Sequence, residues 1–327
     1  MTLHKTMTRR QWLAMAAAAG GASPLGAWAQ ADYPNRPIRI IVPFPAGGAG
    51  DTGVRMVAKA LGDALGQPLV IDNKPGGDGV IAGLELIRSA PDGYTILFGT
   101  ATPLLYTPIV QASKPPYDPI RDFAPVSMFS SFTYFMHVHE SVPVRTLQEF
   151  IAHVRKNPGT IAYGTGDATS VVTMAQVQMA AQLNMTHIPY KGGAPAFNDF
   201  AAGRIQVMVG PIDLDARMQG KSRPLAVLQA KRSPVRPDVP SFPEIGFPQV
   251  NLVAWTGYFA PARTPVPLLD RLSSEMVKVF ARPELRETFL RLGFTLEGST
   301  PDALGALVRT QLPVWKEAIQ FAKIPLE

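Results

Sequence analysis

The segment Arg39–Leu61, RIIVPFPAGGAGDTGVRMVAKAL, joins an apolar run to a glycine-rich turn and then to a helical pattern. A strand that passes through such a turn into a helix aims backbone N–H groups at an anion, because the first helical turn leaves its amides without carbonyl partners. The same glycines carry a rival reading. Gly48-x-Gly50-x-x-Gly53 matches the dinucleotide fingerprint, and Asp72 lies near the distance expected for a ribose-binding acid. One reading implies a receptor that holds an anion, the other an exported oxidoreductase.

The fingerprint needs its first glycine directly after the strand, so that a tight turn brings the helix onto a pyrophosphate. Here Pro43, Phe44, Pro45, Ala46 and Gly47 intervene, and the two prolines favour an extended connection. The anion-holding loop is preferred, with a merely structural turn as the plain alternative.

Lys5, Arg9 and Arg10 precede the apolar run Trp12–Ala19, and small residues follow at Ala27 and Ala29. Residues 1–29 therefore read as a cleaved export signal. Thr8-Arg9-Arg10-Gln11-Trp12-Leu13 has the paired arginines of the twin-arginine route, with general export as the alternative. No later run reaches the roughly 20 apolar residues of a membrane-spanning helix. We expect a periplasmic protein that does not itself span the membrane.

The formal charge of +6 falls to +3 once the three basic residues of the signal are removed, and no basic stripe remains, which argues against nucleic acid as partner. With no cysteine there are neither disulfides nor thiolate metal sites, so the core must be large enough to stand alone.

Strand-like and helix-like stretches alternate through most of the chain, the mark of parallel sheets covered by helices. Ile38–Val42, Pro68–Ile71 and Tyr94–Phe98 read as strands, with helices over Asp51–Leu65 and Gly79–Ser89 and with Asp51 as the N-cap of the first. Proline is about twice as common as usual, and Pro103–Pro119 reads as a surface connection. A second α/β series runs from Thr146 to Gln229, and Val250–Phe259 returns toward the first. The tail is helical over Val266–Ala281, Pro283–Leu292 and Pro301–Lys323, with Pro313 expected to bend or interrupt the last. We expect residues 30–127 plus 252–327 to form one lobe and 128–251 the other.

Ligands of open α/β sheets bind at the carboxyl ends of the strands. The loops Asn73–Gly79, Gly99–Thr102, Gly164–Ser170 and Gly210–Asp213 all follow strands, and their chemistry is glycine plus hydroxyl: Thr100, Thr102, Thr165, Thr169 and Ser170. Such groups hold a carboxylate by donating to it, each bond being worth about 1.5–3 kcal/mol to a charged acceptor. Thr169 and Ser170 also read as ordinary helix caps. The G-x-S-x-G, H-E-x-x-H and Walker A signatures are missing, so no enzyme class gains support. His137 and His139 could share one strand face but lack a third metal ligand. His187 reads as a half-buried residue just ahead of a strand. No cofactor or metal is expected.

These residues resemble the Bug receptors, the periplasmic solute receptors of the tripartite tricarboxylate transporter group. The matching strings are YPNRPIRIIVPFPAGGAGD at 33–51, LGQPLVIDNKPGGDG at 65–79, APDGYTILFGT at 90–100, YDPIRDFAPVSM at 117–128, HIPYKGGAPAFNDFAAGRIQVM at 187–208 and AKRSPVRPDVPSFPEIGFP at 230–248. The resemblance implies a type II periplasmic-binding fold of two α/β lobes that close on a small organic carboxylate, a monomer serving a membrane permease. A receptor presenting its ligand to a sensor kinase fits the same residues. The resemblance further implies one ligand loop at Phe44, Ala46, Gly47, Gly48, Ala49, Gly50 and Asp51, a facing loop at Thr165, Gly166, Thr169 and Ser170, and a lining of Thr100, Thr102, Pro211 and Asp213. Two departures stand out. Ala49 and Gly50 replace the usual hydroxyl residue, and Val171 stands beside Ser170 where many relatives carry histidine. Both lower side-chain polarity and favour a monocarboxylate or a ligand with apolar bulk.

Overall fold

Strand β1 (Ile38–Val42) exposes only Arg39 in part and buries its other four residues, the pattern of a strand covered on both faces. The computed structural model describes residues 33–47, 49–211, 213–233, 236–291 and 294–326, and only the backbone at 49, 213, 215 and 216. The expected export signal and Gly48 lie outside the described residues. In the unit from Arg36 onward, β1 lies between β2 (Leu69–Asn73) and β3 (Thr95–Thr100), parallel to both. Helices α1 (Ala49–Leu65) and α2 (Val80–Arg88) make the two crossovers.

Strand β3 leads into a π turn, Thr102–Tyr106, continued by the short helix α3 (Thr107–Val110). The expected surface connection at Pro103–Pro119 is therefore corrected. Pro103, Leu104, Leu105, Ile109 and Val110 are buried, and Tyr117 is buried with its hydroxyl donating to the Pro103 carbonyl at 2.9 Å. Pro103 and Pro108 each lie in the first turn of their helical segment, where a missing N–H costs little.

The chain then fills the far side of this sheet with β4 (Phe123–Phe132) and passes at Thr133 into β5 (Tyr134–His139) of a second sheet. There α4 (Leu147–Lys156), β6 (Ala162–Thr165), α5 (Ala168–Ala181), β7 (Thr186–Pro189), α6 (Gly193–Ala201), β8 (Val207–Pro211), α7 (Asp213–Met218) and β9 (Ser222–Val227) follow. Strand β10 (Ala254–Pro261) returns to the first sheet, and α8 (Val266–Phe280), α9 (Pro283–Arg291), β11 (Phe294–Leu296) and α10 (Pro301–Phe321) complete it. The sheet orders are β11-β4-β10-β3-β1-β2 and β7-β6-β8-β5-β9. In each sheet a strand that comes from the other half of the chain, β10 or β5, pairs antiparallel beside the third parallel strand, and β11 also runs against the parallel strands at the edge of the first sheet.

One face of the first sheet carries Phe98, Phe129, Tyr258, Phe280 and Phe289, with ring centroids 5.2–5.8 Å apart for neighbours such as Phe98–Phe129 and Phe98–Tyr258. Such edge-to-face contacts add to area burial. Helix α1 lies against this cluster: a Cβ at Gly53 would stand 3.5 Å from Phe289. The other face buries Leu97, Leu104, Trp255, Phe259, Leu304 and Trp315, and the same core takes in Ala168 and Val172 of α5. The second sheet has its own core around Val138, Phe150, Val177, Val207 and Phe242.

Helix α10 runs on through Pro313, so of the expected bend or interruption the interruption does not occur. Leu304 and Val308 before it and Trp315, Ala318 and Ile319 after it are all buried, and tertiary burial on both sides outweighs one missing helical bond. Pro313 itself is exposed. Pro313→Ala should therefore stabilise the protein, by up to about 3 kcal/mol, measured by denaturant unfolding; an unchanged or lower midpoint would refute this.

Candidate functional site

The loop Phe44–Asp51 is shaped by packing before any polar contact forms. The Phe44 ring meets Phe98 edge-on at 6.5 Å, and a Cβ at Gly50 would lie 2.9 Å from Phe44. Glycine at 50 thus lets the aromatic ring seat on the start of α1. Gly47 has φ +82°, a backbone that side chains rarely adopt.

Asp51 is not the N-cap. Helix α1 begins at Ala49, and the Asp51 carboxylate, 1 % exposed, reaches back to accept from the Gly47 amide at 2.8 Å. It also accepts from Arg55 Nε at 2.8 Å and Asn73 Nδ2 at 2.9 Å. The Arg55 guanidinium holds its carboxyl down to about 2, against burial and with help from Gly47 and Asn73. This carboxylate and the Gly47 amide are thus already paired. Asp72, the acid of the dinucleotide reading, is bonded to Arg39 at 2.9 Å.

Thr100 ends β3 opposite Thr256 of β10, which in turn faces Ser130 of β4. The Ser130 and Thr256 hydroxyls are 3.0 Å apart. Thr100 Oγ1 is enclosed and has no partner among the described residues, as has Trp255 Nε1. Thr102 reaches the second sheet: its Oγ1 accepts from the Ala168 amide at 3.4 Å. The loops after β3 and β6 therefore meet.

In that second loop Asp167 and Ser170 form a capping box around the start of α5. Ser170 N donates to Asp167 Oδ1 at 2.9 Å, and Ser170 Oγ accepts weakly from the Gly166 and Asp167 amides at 3.3 Å. Burial pushes the Asp167 carboxyl above its usual range, opposed by bonds from Ser170, Tyr134 and Thr169. Thr169 is 5 % exposed. Thr165, 2 % exposed, shares a 2.7 Å hydrogen bond with His187 Nε2. His187 belongs to β7 itself, keeps much of its surface exposed, and stacks on Tyr163 with centroids 4.9 Å apart; partial desolvation of the ring lowers its pKa. His139 bonds Ser141 at 2.9 Å, and no metal-holding group is found among the described residues. Pro211 ends β8 and Asp213 begins α7, but the Asp213 side chain lies outside the described residues.

Two groups escaped the sequence reading. Asn73, noted only as the start of a loop, grips Phe44–Asp51. The segment Lys191–Gly193 leads into α6, whose N-cap Gly192 has φ +105° and offers no side-chain cap. A Cβ at Gly166 would lie 2.4 Å from the Gly192 carbonyl carbon, so these backbones touch. The signal available was Gly192-Gly193 before Ala-Pro, a helix start with no capping side chain.

Two α/β sheets with glycine and hydroxyl loops at their strand ends define a receptor scaffold of the periplasmic-binding class. The chain matches the family described as "Tripartite tricarboxylate transporter family receptor" over residues 54–323, and it belongs to that family. It is 31 % identical to Protein BugT of Bordetella pertussis over 310 residues, 93 % of this chain and 94 % of that one. Among solved structures it is similar to R. palustris Rpa4515 with adipate, at 28 % identity and TM-score 0.82 over 90 % of this chain and 99 % of that one. It is also similar to MatC from Rhodopseudomonas palustris with bound malate, at 27 % identity and TM-score 0.78 over 88 % of this chain and 100 % of that one.

Because the folded Asp51 pKa is depressed, its stabilisation exists above the ordinary value near 3.9 and is lost as pH falls toward about 2. Asp51→Asn should unfold at lower denaturant than the native protein at pH 7, with the gap closing between about pH 4 and 2; a pH-independent gap would refute the pairing. Gly166→Ala forces backbone against backbone and should cost about 1–3 kcal/mol. Gly193→Ala, with nothing within 4 Å of the new Cβ, serves as the neutral control in the same unfolding measurement.

Proposed function

We propose that the protein is a periplasmic receptor that binds a small organic carboxylate between two lobes, one built on each sheet, and turns nothing over. The observation that carries this reading is the meeting of the strand-end loops, in which Thr102 of the first sheet touches the amide of Ala168 at the start of α5 in the second. Relatives with adipate and malate support a carboxylate ligand. The donors offered are the amides at the start of α1, the Thr100 hydroxyl, which has no partner among the described residues, the Thr165–Ser170 loop and the start of α6 beside Gly166, which no side chain caps.

Closure then follows from differential affinity. A ligand that touches both loops stabilises the state in which they meet, and one that touches a single loop shifts nothing. The chemistry on offer is neutral. Asp51 is matched by Arg55, and the hydroxyls carry no charge, so a ligand with one carboxylate or with apolar bulk beside Phe44 suits this chain better than a tricarboxylate. Delivery to a tripartite permease is the role that the family supports. Residues 1–29 would direct export, by the twin-arginine or the general route.

No helix among the described residues is long and apolar enough to cross a membrane. Isothermal titration with malate, adipate, acidic amino acids and aromatic monocarboxylates should find a ligand below about 10 µM, near −7 kcal/mol. Failure with every one of these acids would overturn the carboxylate reading.

A further inference from the structure

We propose that Asn73 is a positioning residue that holds the loop Phe44–Asp51 in its ligand-receiving shape, an inference that rests on the receptor reading for what the loop receives. Asn73 is the last residue of β2 and pairs in register with Val42, the last residue of β1. The next amide, Lys74 N, donates to the Val42 carbonyl at 2.8 Å. Its backbone is thus anchored in the parallel ladder at the point where the loop departs.

From this anchor one amide group reaches both ends of the loop. Nδ2 donates to the Phe44 carbonyl at 3.0 Å and to Asp51 Oδ1 at 2.9 Å, while Oδ1 accepts from Arg55 Nη2 at 3.0 Å. Arg55 in turn donates through Nε to Asp51 Oδ2, which also accepts from the Gly47 amide. The entry, middle and exit of the loop are therefore tied through three side chains. Two oxygens face the Asn73 nitrogen and one cation faces its oxygen, so aspartate at 73 would oppose oxygen to oxygen.

The arrangement separates two jobs. Asp51 is neutralised by Arg55 and occupies the Gly47 amide within the loop, and Asp51 then acts on the ligand only through the loop's shape. Pro43 and Pro45 lack amides and cannot tie the loop by backbone bonds, and Gly47 and Gly50 give it freedom. Phe44 stays seated on Gly50 and Phe98 because its carbonyl is held. Remove the Asn73 amide and the carbonyl of Phe44 and one oxygen of Asp51 lose their donor together.

The test is amide hydrogen exchange on the ligand-free full protein, followed by mass spectrometry, for the native chain, Asn73→Ala, Asn73→Asp and Arg55→Lys. Exchange in peptides covering 43–52 should rise at least about tenfold in both Asn73 variants, with peptides across β5 and β8 unchanged. Arg55→Lys keeps the charge but loses the fork that reaches both partners, and should rise less. Unchanged exchange at 43–52 in the Asn73 variants would overturn the proposal. So would an equal rise throughout β1 and β2, which would make Asn73 a strand residue only. Malate and adipate are titrated in parallel. If the native protein binds either, the Asn73 variants should bind it at least about tenfold more weakly, and undiminished affinity overturns the positioning role. If it binds neither, the dicarboxylate reading suffers while exchange still decides the clamp.

Discussion

The molecule depends on an exchange of strands between its two sheets. Strand β5 pairs antiparallel with β8 immediately after the chain has left β4, and β10 pairs antiparallel with β3 after the chain has left β9 and its following loops. The crossing at Thr133 is a single residue. It is pinned from the returning side, where Leu228 N donates to the Tyr134 carbonyl at 2.8 Å and Gln229 Nε2 to Thr133 Oγ1 at 2.9 Å. A backbone that spends its hydrogen bonds in both ladders ties the two sheets together at this crossing. The loops after β3 and β6 meet because this double connection places them together.

At the end of β1 the buried carboxylate is matched by a cation, Asp51 with Arg55. The Asp51 carboxylate is consumed by Arg55, Asn73 and the Gly47 amide, and the start of α5 is largely satisfied by its own capping box. The donors left over are backbone amides, the enclosed hydroxyl of Thr100 and the uncapped start of α6. Oriented amides and helix starts favour an anion without supplying a formal positive charge. Small residues serve the same end: Gly50 admits the Phe44 ring, and Gly166 admits the backbone of Gly192.

Much of this was legible from residue order. The β1–α1 passage is carried by local signals, an apolar run followed by glycines and a 3.6-residue periodicity, and the structure places both elements where that pattern says. Fingerprint glycines had to be weighed against five intervening residues, and Asp72 proved to be a partner of Arg39. Where the reading failed, a non-local partner had decided the outcome. Asp51 looked like a cap because its neighbours in sequence suit one, yet its carboxylate is held by Arg55 and the Gly47 amide and, from the adjacent strand, by Asn73. Proline density at Pro103–Pro119 suggested a surface loop, whereas Leu104, Leu105, Ile109 and Tyr117 turn it into core. The possible break at Pro313 did not occur because its neighbours are buried, which cannot be seen in a linear pattern.

The sequence by itself determined the alternation of strands and helices, the glycine and hydroxyl character of the strand-end loops and the family to which they point, since each is set by residues a few positions apart. Tertiary structure alone decided which amides are already occupied and which remain, that Thr102 reaches Ala168, that His187 engages Thr165, and that Asn73 reaches back to a loop earlier in the chain. Those contacts join residues tens of positions apart, and their energies depend on distances that only the folded chain creates.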